Sequence, residues 1–526
     1  MLAALPAALH AVILLGRLHP DEVFQSLEIA LNRTYGFGVV PWEWQRPPAV
    51  DPNAPWGIRN WAVPILFSTL LKFGDAVGIT TVMGRRILIE LPQFALHVAM
   101  LAAVWRMAFR RVGEVGARWC LWLVALYAPL VWFGGRTMSE AFSTAFLVWG
   151  LERLDARDVK VAGPHGGQSE RRWPEWNRWL LGGVLLGCAQ ITRYGSAAAI
   201  VPAMIWLLVE RRWITFAFAT AGGAIAALAL GALDWVTWGE PFHSLIHYVR
   251  YNVVSGSAAA TFGAAPWWMY LPRLLLAPFA VLGLAVSVRQ GRTLRPAVGV
   301  LAVALIGVAL IAVRPDASPG LQTFSSVLGA LCALSVGWLL LKTEVEQPSI
   351  FIASALGYLA ILSATAHKED RFIYPALILL TVAGAPLFVK WYRSLDTPGL
   401  EGLGMAAVAA GVFFYLFPSP LDVQRKEQFQ FVARNAEATT GLVVMNEGMW
   451  GSPGFFYVGK NIPWCPCDFP HDSCFQLAAR DGRFNRAVYW SNGKGSEQRD
   501  AQTEAAFAAA GFHVEARSGF ATWFAR

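Results

Sequence analysis

His19-Pro20-Asp21-Glu22-Val23-Phe24-Gln25-Ser26-Leu27-Glu28 reads HPDEVFQSLE and follows directly on an apolar run at residues 2–18. Two adjacent carboxylates at the end of a bilayer-length apolar segment are costly to place. Ionisable groups in that position are functional-site candidates by default. A helix over 22–32 puts Asp21, Gln25, Glu28 and Asn32 at i, i+4, i+7 and i+11, on one face, with Phe24, Leu27 and Leu31 on another. That pattern describes an amphipathic helix at a membrane surface with an acidic stripe. A solvated helix start, with Pro20 ending the preceding helix and Asp21 capping the next, accounts for the same residues without a function.

The rest of the chain tells what kind of membrane surface this is. Of 526 residues, 56% are hydrophobic and only 15% charged, where a soluble domain carries about 25% charged residues. Mean hydropathy is +0.43. This is the composition of a polytopic α-helical membrane protein. The run at 2–18 lacks a basic leader and a small-residue cleavage site, so it reads as a retained span rather than a signal peptide. Further spans are expected near 86–105, 119–134, 137–152, 179–193, 196–210, 213–232, 270–288, 296–313, 320–341, 349–366, 373–391 and 402–417.

The segment 61–79 is apolar but interrupted by Lys72 and Asp75. If it does not cross, and the N-terminus is cytoplasmic, the basic clusters at 106–118, 153–178, 211–212 and 289–295 all face the cytoplasm, as the positive-inside rule requires. It is therefore expected to be re-entrant or surface-lying, leaving about 13 spans. The loops at 19–60, 234–268 and 367–372, and the tail after 418, then share one extracytoplasmic face. The net charge of +8 reports this topology. No basic groove or motif suggests nucleic acid.

Residues 418–526 change character. Strand-like runs at 441–445, 487–490, 512–515 and 521–524, with a helical stretch near 501–510, predict a small extracytoplasmic α/β domain beyond a membrane domain at 1–417. Cys120, Cys188 and Cys332 lie in apolar runs. Cys465, Cys467 and Cys474 cluster in the tail, where Cys474 can pair with either of the others and leave one thiol over. With His471 they imitate a zinc site, but the spacing fits no strong zinc pattern.

The outward loops collect a particular inventory: Asp21, Glu22, Glu28, Glu43 and Arg59 with Trp42, Trp44 and Trp56; Arg136 and Glu140; Arg193 and Tyr194; Asp234, His243, His247 and Arg250; and His367, Lys368, Glu369, Asp370 and Arg371. Carboxylates, a cationic cluster and many aromatic rings suit glycosyl transfer from a lipid-linked phosphate. A carboxylate deprotonates the acceptor hydroxyl, cations hold the leaving phosphate, and aromatic faces suit sugars and the headgroup level. Each residue also has a plainer reading. The 367–371 loop can be solvated ion pairs, Arg136 and Arg193 can snorkel, Trp-rich loops can be interfacial anchors, and His243 with His247 is at most half a metal pair.

The ordered combination is more specific than its parts. HPDEVFQSLE, YGFGVVPWEW, WGIRNW, RTMSE, FGAAPWWMYLP and HKEDRFIYP follow one another. Together they resemble the lipid-phosphate-mannose-dependent α-mannosyltransferases of glycosyltransferase family 22, of GT-C architecture, and most closely the branch that builds the GPI anchor glycan. The resemblance runs over about residues 1 to 375 and onward through MNEGMWGSPGFFYVG. It implies Asp21 as general base of an inverting transfer, with Glu22 tuning it or orienting the acceptor. It implies His367, Lys368 and Arg371 at the donor phosphate, with Arg136 and Arg193 as further candidates. Glu28, Glu43 and Trp44 are expected at the substrate. No bound metal or other cofactor is implied. The donor would be a polyprenyl- or dolichyl-phosphate sugar and the acceptor a glycan or glycolipid. RTMSE departs from the family pattern in carrying Glu140, and TRYG replaces a more usual Arg-Pro-Thr run. Composition suggests a bacterial chain, hence a periplasmic site; a eukaryotic one would face the ER lumen. The rivals are the same fold moving glucose or a pentose, and a transporter or lipid-glycan flippase. Against transport, the chain shows no internal repeat and its charges crowd one face.

Overall fold

The computed structural model describes residues 2–13, 19–45, 56–155, 175–270, 350–392, 429–446, 453–491, 496–518 and 521–526. The spans expected at 270–288, 296–313, 320–341 and 402–417 lie outside these residues. The chain divides into two compact units: one of 1–8, 47–60 and 92–416, the other of 9–46, 61–91 and 417–526.

The first unit is a helical assembly. Its helices include Ala128–Phe133, Ser139–Asp155, Glu175–Thr192, Ala197–Val209, Trp213–Trp238, Ile350–Ala364 and Tyr374–Tyr392. Small residues let two of them, Glu175–Thr192 and Trp213–Trp238, approach closely. A Cβ at Gly183 would lie 2.0 Å from the Ala219 carbonyl oxygen, and one at Gly222 would lie 2.1 Å from that of Leu180. Where lipid removes the hydrophobic drive, such backbone proximity is what holds helices together. Among the described residues, three helical stretches are long and apolar enough to cross a bilayer: Val82–Ala125, Trp213–Trp238 and Asp370–Val389.

Two sequence expectations need correcting here. The basic loop expected between spans at 86–105 and 119–134 is largely helical. Val82–Ala125 runs through it and breaks only at Gly113, whose φ of 71° is open to glycine. The arginines stay helical because a neighbouring helix end pairs with them. Glu152 takes Arg106 at 3.2 Å and Arg110 at 2.7 Å, and Asp155 takes Arg111 at 2.7 Å. The second span also stops at Ala125, and Ala128–Phe133 is a separate short helix.

The second unit gathers the first polar loop up to residue 46, the segment at 61–79 and the tail. Its sheet has five strands: β1 (Leu442–Met445), β2 (Trp464–Cys467), β3 (Arg486–Trp490), β4 (His513–Ser518) and β5 (Ala521–Ala525). The order is β2-β1-β3-β5-β4, with β1 parallel to β2 and β3, and β5 antiparallel to β3 and β4. Alternation decides the two faces. Val443, Cys465, Ala487 and Phe524 point to a core with Phe475, Phe507 and Phe512; Leu442, Val444, Val488 and Trp523 point to the other. The strand β2, WCPC, was not expected from sequence. Pro466 cannot donate a ladder bond, and β2 sits at the sheet edge, where that is tolerated. Cys465 and Cys474 form a disulfide and Cys467 is free.

Ala62–Ala76 has 15 residues, a length of about 22 Å, short of the roughly 30 Å hydrocarbon thickness. It packs on Glu28–Tyr35 through Thr34, whose hydroxyl lies 2.9 Å from that of Ser68, and through Tyr35, which donates to Asp75 at 2.7 Å.

Candidate functional site

The first-loop helix is not the regular amphipathic helix that its spacing suggests. Pro20–Glu22 is α-helical, Val23–Leu27 makes a π turn and Glu28–Tyr35 resumes the α-helix. His19 is the N-cap, its Nδ1 accepting from the Asp21 amide at 3.2 Å. The wider turn inserts an extra residue per i→i+5 bond and rotates the faces. The expected lipid-facing side is absent: Val23, Phe24, Leu27 and Leu31 are buried, and so are Glu22 and Glu28. An acidic surface stripe is thereby ruled out, because Glu22 and Glu28 are buried while Asp21, Gln25 and Asn32 are half-buried.

The four described carboxylates of this loop have different fates. Asp21 keeps 16% of its side chain exposed, with Oδ1 3.3 Å from His19 Nδ1. Glu22 is buried against Arg86 at 3.3 Å, and Arg86 also pairs with Glu90 one helical turn on. Glu43 accepts from Gln25 Nε2 at 3.2 Å. Its neighbour Trp44 packs edge-on to Trp61 at 4.9 Å between centroids, and Arg33 lies over the Trp61 ring. Glu28 is wholly buried. Its Oε2 accepts from the Val39 amide at 2.8 Å and its Oε1 from the Phe456 amide at 2.7 Å. Burial pushes its carboxyl up to about 7, with the amides offsetting part of the effect.

The cationic residues assemble in the first unit around two carboxylates. Glu140, buried at the start of Ser139–Asp155, sets Oε1 2.9 Å from Arg193 Nη1 and 3.6 Å from Arg371 Nε. Glu369 takes Arg371 Nε at 2.6 Å and His367 Nε2 at 3.1 Å. The loop is tied down from behind: Tyr270 donates to the Glu369 carbonyl at 3.0 Å, and Tyr358 to that of Phe372 at 2.8 Å. Arg193 and Arg371 both lie over the Phe372 ring, at 4.9 and 5.3 Å. Lys368 turns aside to the carbonyls of Ala265 and Thr365, and desolvation lowers its proton affinity. Arg136 is buried, its amide donating to the Phe133 carbonyl. Arg193, His367 and Arg371 are thus brought together, whereas Lys368 faces other partners. Glu140 and Glu369 are the organising residues that the sequence reading left out of its site. The signal for Glu140 was its departure from the family pattern.

A third cluster in the same unit is polar and buried. Asp234 accepts from the Ser244 amide at 2.9 Å and hydroxyl at 2.6 Å, and Tyr194 bonds the same hydroxyl. Beside it, His243 stacks on Trp238 and His247 and meets Trp56. These rings spend the two histidines on packing.

The Alg9-like mannosyltransferase family model matches residues 2–313 and 320–432. GPI mannosyltransferase 3 of Yarrowia lipolytica is 22% identical over 406 residues, which is 75% of this chain and 63% of that protein. Mannosyltransferase APTG1 of Arabidopsis thaliana is 24% identical over 296 residues, 53% of this chain and 49% of that one. The chain thus spans about half to two thirds of the length of these curated relatives. Among solved structures, ArnT from Cupriavidus metallidurans bound to undecaprenyl phosphate superposes with a TM-score of 0.54 at 14% identity, covering 100% of this chain and 96% of that one. The shared fold is that of the GT-C membrane glycosyltransferases. This chain is a membrane protein and belongs to the Alg9-like mannosyltransferase family.

Proposed function

We propose that this member of the Alg9-like mannosyltransferase family moves a mannosyl residue from a polyprenyl- or dolichyl-phosphate donor to a glycan or glycolipid acceptor, with inversion, on the extracytoplasmic face of the membrane. The reading is supported by the family, by relatives named GPI mannosyltransferase, and by the fold shared with a structure holding undecaprenyl phosphate. The observation that carries it is the group of Arg193, Arg371 and His367 gathered around Glu140 and Glu369.

In the proposed reaction Asp21 takes the proton of the acceptor hydroxyl. The freed oxygen attacks C1 of the mannosyl group from the side opposite the phosphate. The bond from C1 to the phosphate oxygen breaks, and the phosphate leaves with the electron pair as polyprenyl phosphate. Arg371, His367 and Arg193 meet its charge, with Lys368 and Arg136 assigned supporting places. Of the buried loop's carboxylates, Asp21 suits the base role because it retains exposure, whereas Glu22 and Glu28 are committed to partners. Glu43 and Trp44 are assigned to substrate contact. The transfer is proposed to run without a bound metal, since cations of the chain itself meet the phosphate.

The wider organisation belongs to the same proposal: a membrane domain at 1–417 with about 13 spans, a cytoplasmic N-terminus, and a small extracytoplasmic α/β domain at 418–526.

The test is transfer from purified polyprenyl-phosphate mannose to membrane acceptors by the full chain, with Asp21→Asn and chelator arms. Losing a general base costs about 10²–10⁴-fold. That loss in the variant, with activity surviving chelation, supports the reading. Full activity in Asp21→Asn removes the assigned base. Transfer only from a glucosyl or pentosyl donor keeps the fold and discards mannose.

A further inference from the structure

We propose that Glu28 is a positioning residue through which the tail helix Gly454–Val458 fixes the helix carrying Asp21. This rests on the assignment of Asp21 as base and gives the tail a part in the reaction. The residues concerned all lie in one compact unit.

Glu28 has no oxygen to spare for substrate. It is fully buried, and each carboxylate oxygen accepts a backbone amide, one from Val39 in its own loop and one from Phe456 in the tail. The carboxylate therefore ties together two segments separated by most of the chain. Position 454 shows how close the joint is. Gly454 has φ +71°, and a Cβ there would lie 2.5 Å from Glu28 Oε1 and 3.0 Å from Val23 Cγ1. Only glycine allows both the backbone conformation and the approach. Gly38 does the same on the other side, where a Cβ would lie 2.7 Å from the Glu28 carbonyl oxygen.

The joint is coupled to Asp21 through the π turn. Glu28 donates its amide to Val23 to close that turn, and Val23 is the residue that abuts Gly454. A π turn has poorer intrinsic geometry than the α-helix and persists where tertiary contacts hold it, frequently at functional sites. The same tail helix reaches the Asp21–Glu22 end as well, because Tyr457 lies within electrostatic reach of Arg86, the partner of Glu22. Phe455 adds an edge contact to Phe37 at 6.1 Å. Gly454 and Phe456 thus meet the helix at the Val23–Glu28 turn, and Tyr457 reaches its start through Arg86.

A base displaced by about 1 Å costs on the order of 10²-fold in rate. Glu28→Gln keeps the size of the side chain but turns a carboxamide NH2, a donor, toward one of the two backbone N–H groups. Gly454→Ala forces the joint apart without changing charge. Both are expected to lower kcat by about 10- to 100-fold while the donor KM moves little. The double variant should be no worse than the more damaging single one, since both break the same joint. Hydrogen exchange on the full chain in nanodiscs supplies a readout independent of sugar chemistry: amides of 19–35 should exchange faster in either variant. If Gly454→Ala does not fold, Glu28→Gln carries both measurements. Unchanged exchange at 19–35, or altered exchange with unchanged kcat, overturns the proposal. A wild-type chain that moves no sugar sinks the proposed function instead, and exchange alone then decides whether the tail fixes this helix.

Discussion

Glu140 Oε1 lies 2.9 Å from Arg193 Nη1, and the same oxygen lies 3.6 Å from Arg371 Nε. One buried carboxylate therefore sits between two guanidiniums that would otherwise repel each other. Removing one partner of a buried pair typically costs on the order of 3–5 kcal/mol, because it leaves the other charge uncompensated. Glu140→Ala should lower the melting temperature in detergent accordingly. The phosphate assignment adds a sharper expectation for Glu140→Gln. With the internal anion gone, polyprenyl phosphate becomes the better counter-ion, and a ligand that binds only the folded state stabilises it through mass action. Added polyprenyl phosphate should raise the melting temperature of Glu140→Gln more than that of wild type. Equal shifts would detach Arg193 and Arg371 from the phosphate.

Arg86 stands between Glu22 and Glu90, so its two carboxylates share one cation. Glu22→Gln leaves the Arg86–Glu90 pair in place. Arg86→Met removes the cation that the two carboxylates share. The second change should destabilise the chain more, by on the order of 3–5 kcal/mol against less for the first. Combining Arg86→Met with Glu22→Gln should recover part of that loss, and thermal melts of the three variants read the order directly. An Arg86→Met chain as stable as Glu22→Gln would mean that this triad does not hold the loop.

Much of the architecture was legible in the apolar periodicity. The helices Ala197–Val209, Ile350–Ala364 and Tyr374–Tyr392 fall where hydropathy puts them, and β1, β3 and β5 follow from short β-branched and aromatic runs. What failed to show depended on partners distant in sequence. Arg106–Arg111 read as part of a basic cluster between two spans, whereas the helix runs on through them with Glu152 and Asp155 as their partners. The strand β2 was hidden by Pro466, a residue that only an edge position excuses. The π turn at Val23–Leu27 has no composition of its own. For the site, the motifs named candidate residues but not the relations between them. Glu28 looked like another member of an acidic stripe until Phe456, 428 residues on, supplied its partner.

The tail thiols should differ in reactivity. Cys465 and Cys474 are bonded to each other, and Cys467 is buried on β2 with its thiol pushed up to about 12 by desolvation. The thiolate is the nucleophile, so Cys467 should resist alkylation at neutral pH in the folded chain. Iodoacetamide followed by mass spectrometry should find Cys465 and Cys474 unmodified before reduction, with Cys467 modified only on unfolding. Reducing the disulfide closes off the benefit of a short loop, about 2–3 kcal/mol by chain entropy, and should increase exchange in β2. Rapid labelling of Cys467 without denaturant would contradict its burial.

Glu28 also sets a pH dependence whose sign follows from its environment. Its carboxyl is raised from 4.5 to about 7 in the folded chain, chiefly because burial penalises the charge. Between those values the folded state holds a proton that the unfolded state has released. Stability therefore falls as pH rises through that window and levels off above it. The shift is worth about 3 kcal/mol in total. Other carboxylates titrate in the same range, so the comparison is with Glu28→Gln, which cannot ionise. The wild-type melting temperature should decline relative to that variant from pH 5 to pH 8, with most of the relative change complete by about pH 7. A constant difference across the range would place the Glu28 ionisation outside it. In that case the Val39 and Phe456 amides would be stabilising the carboxylate fully enough to cancel the burial penalty.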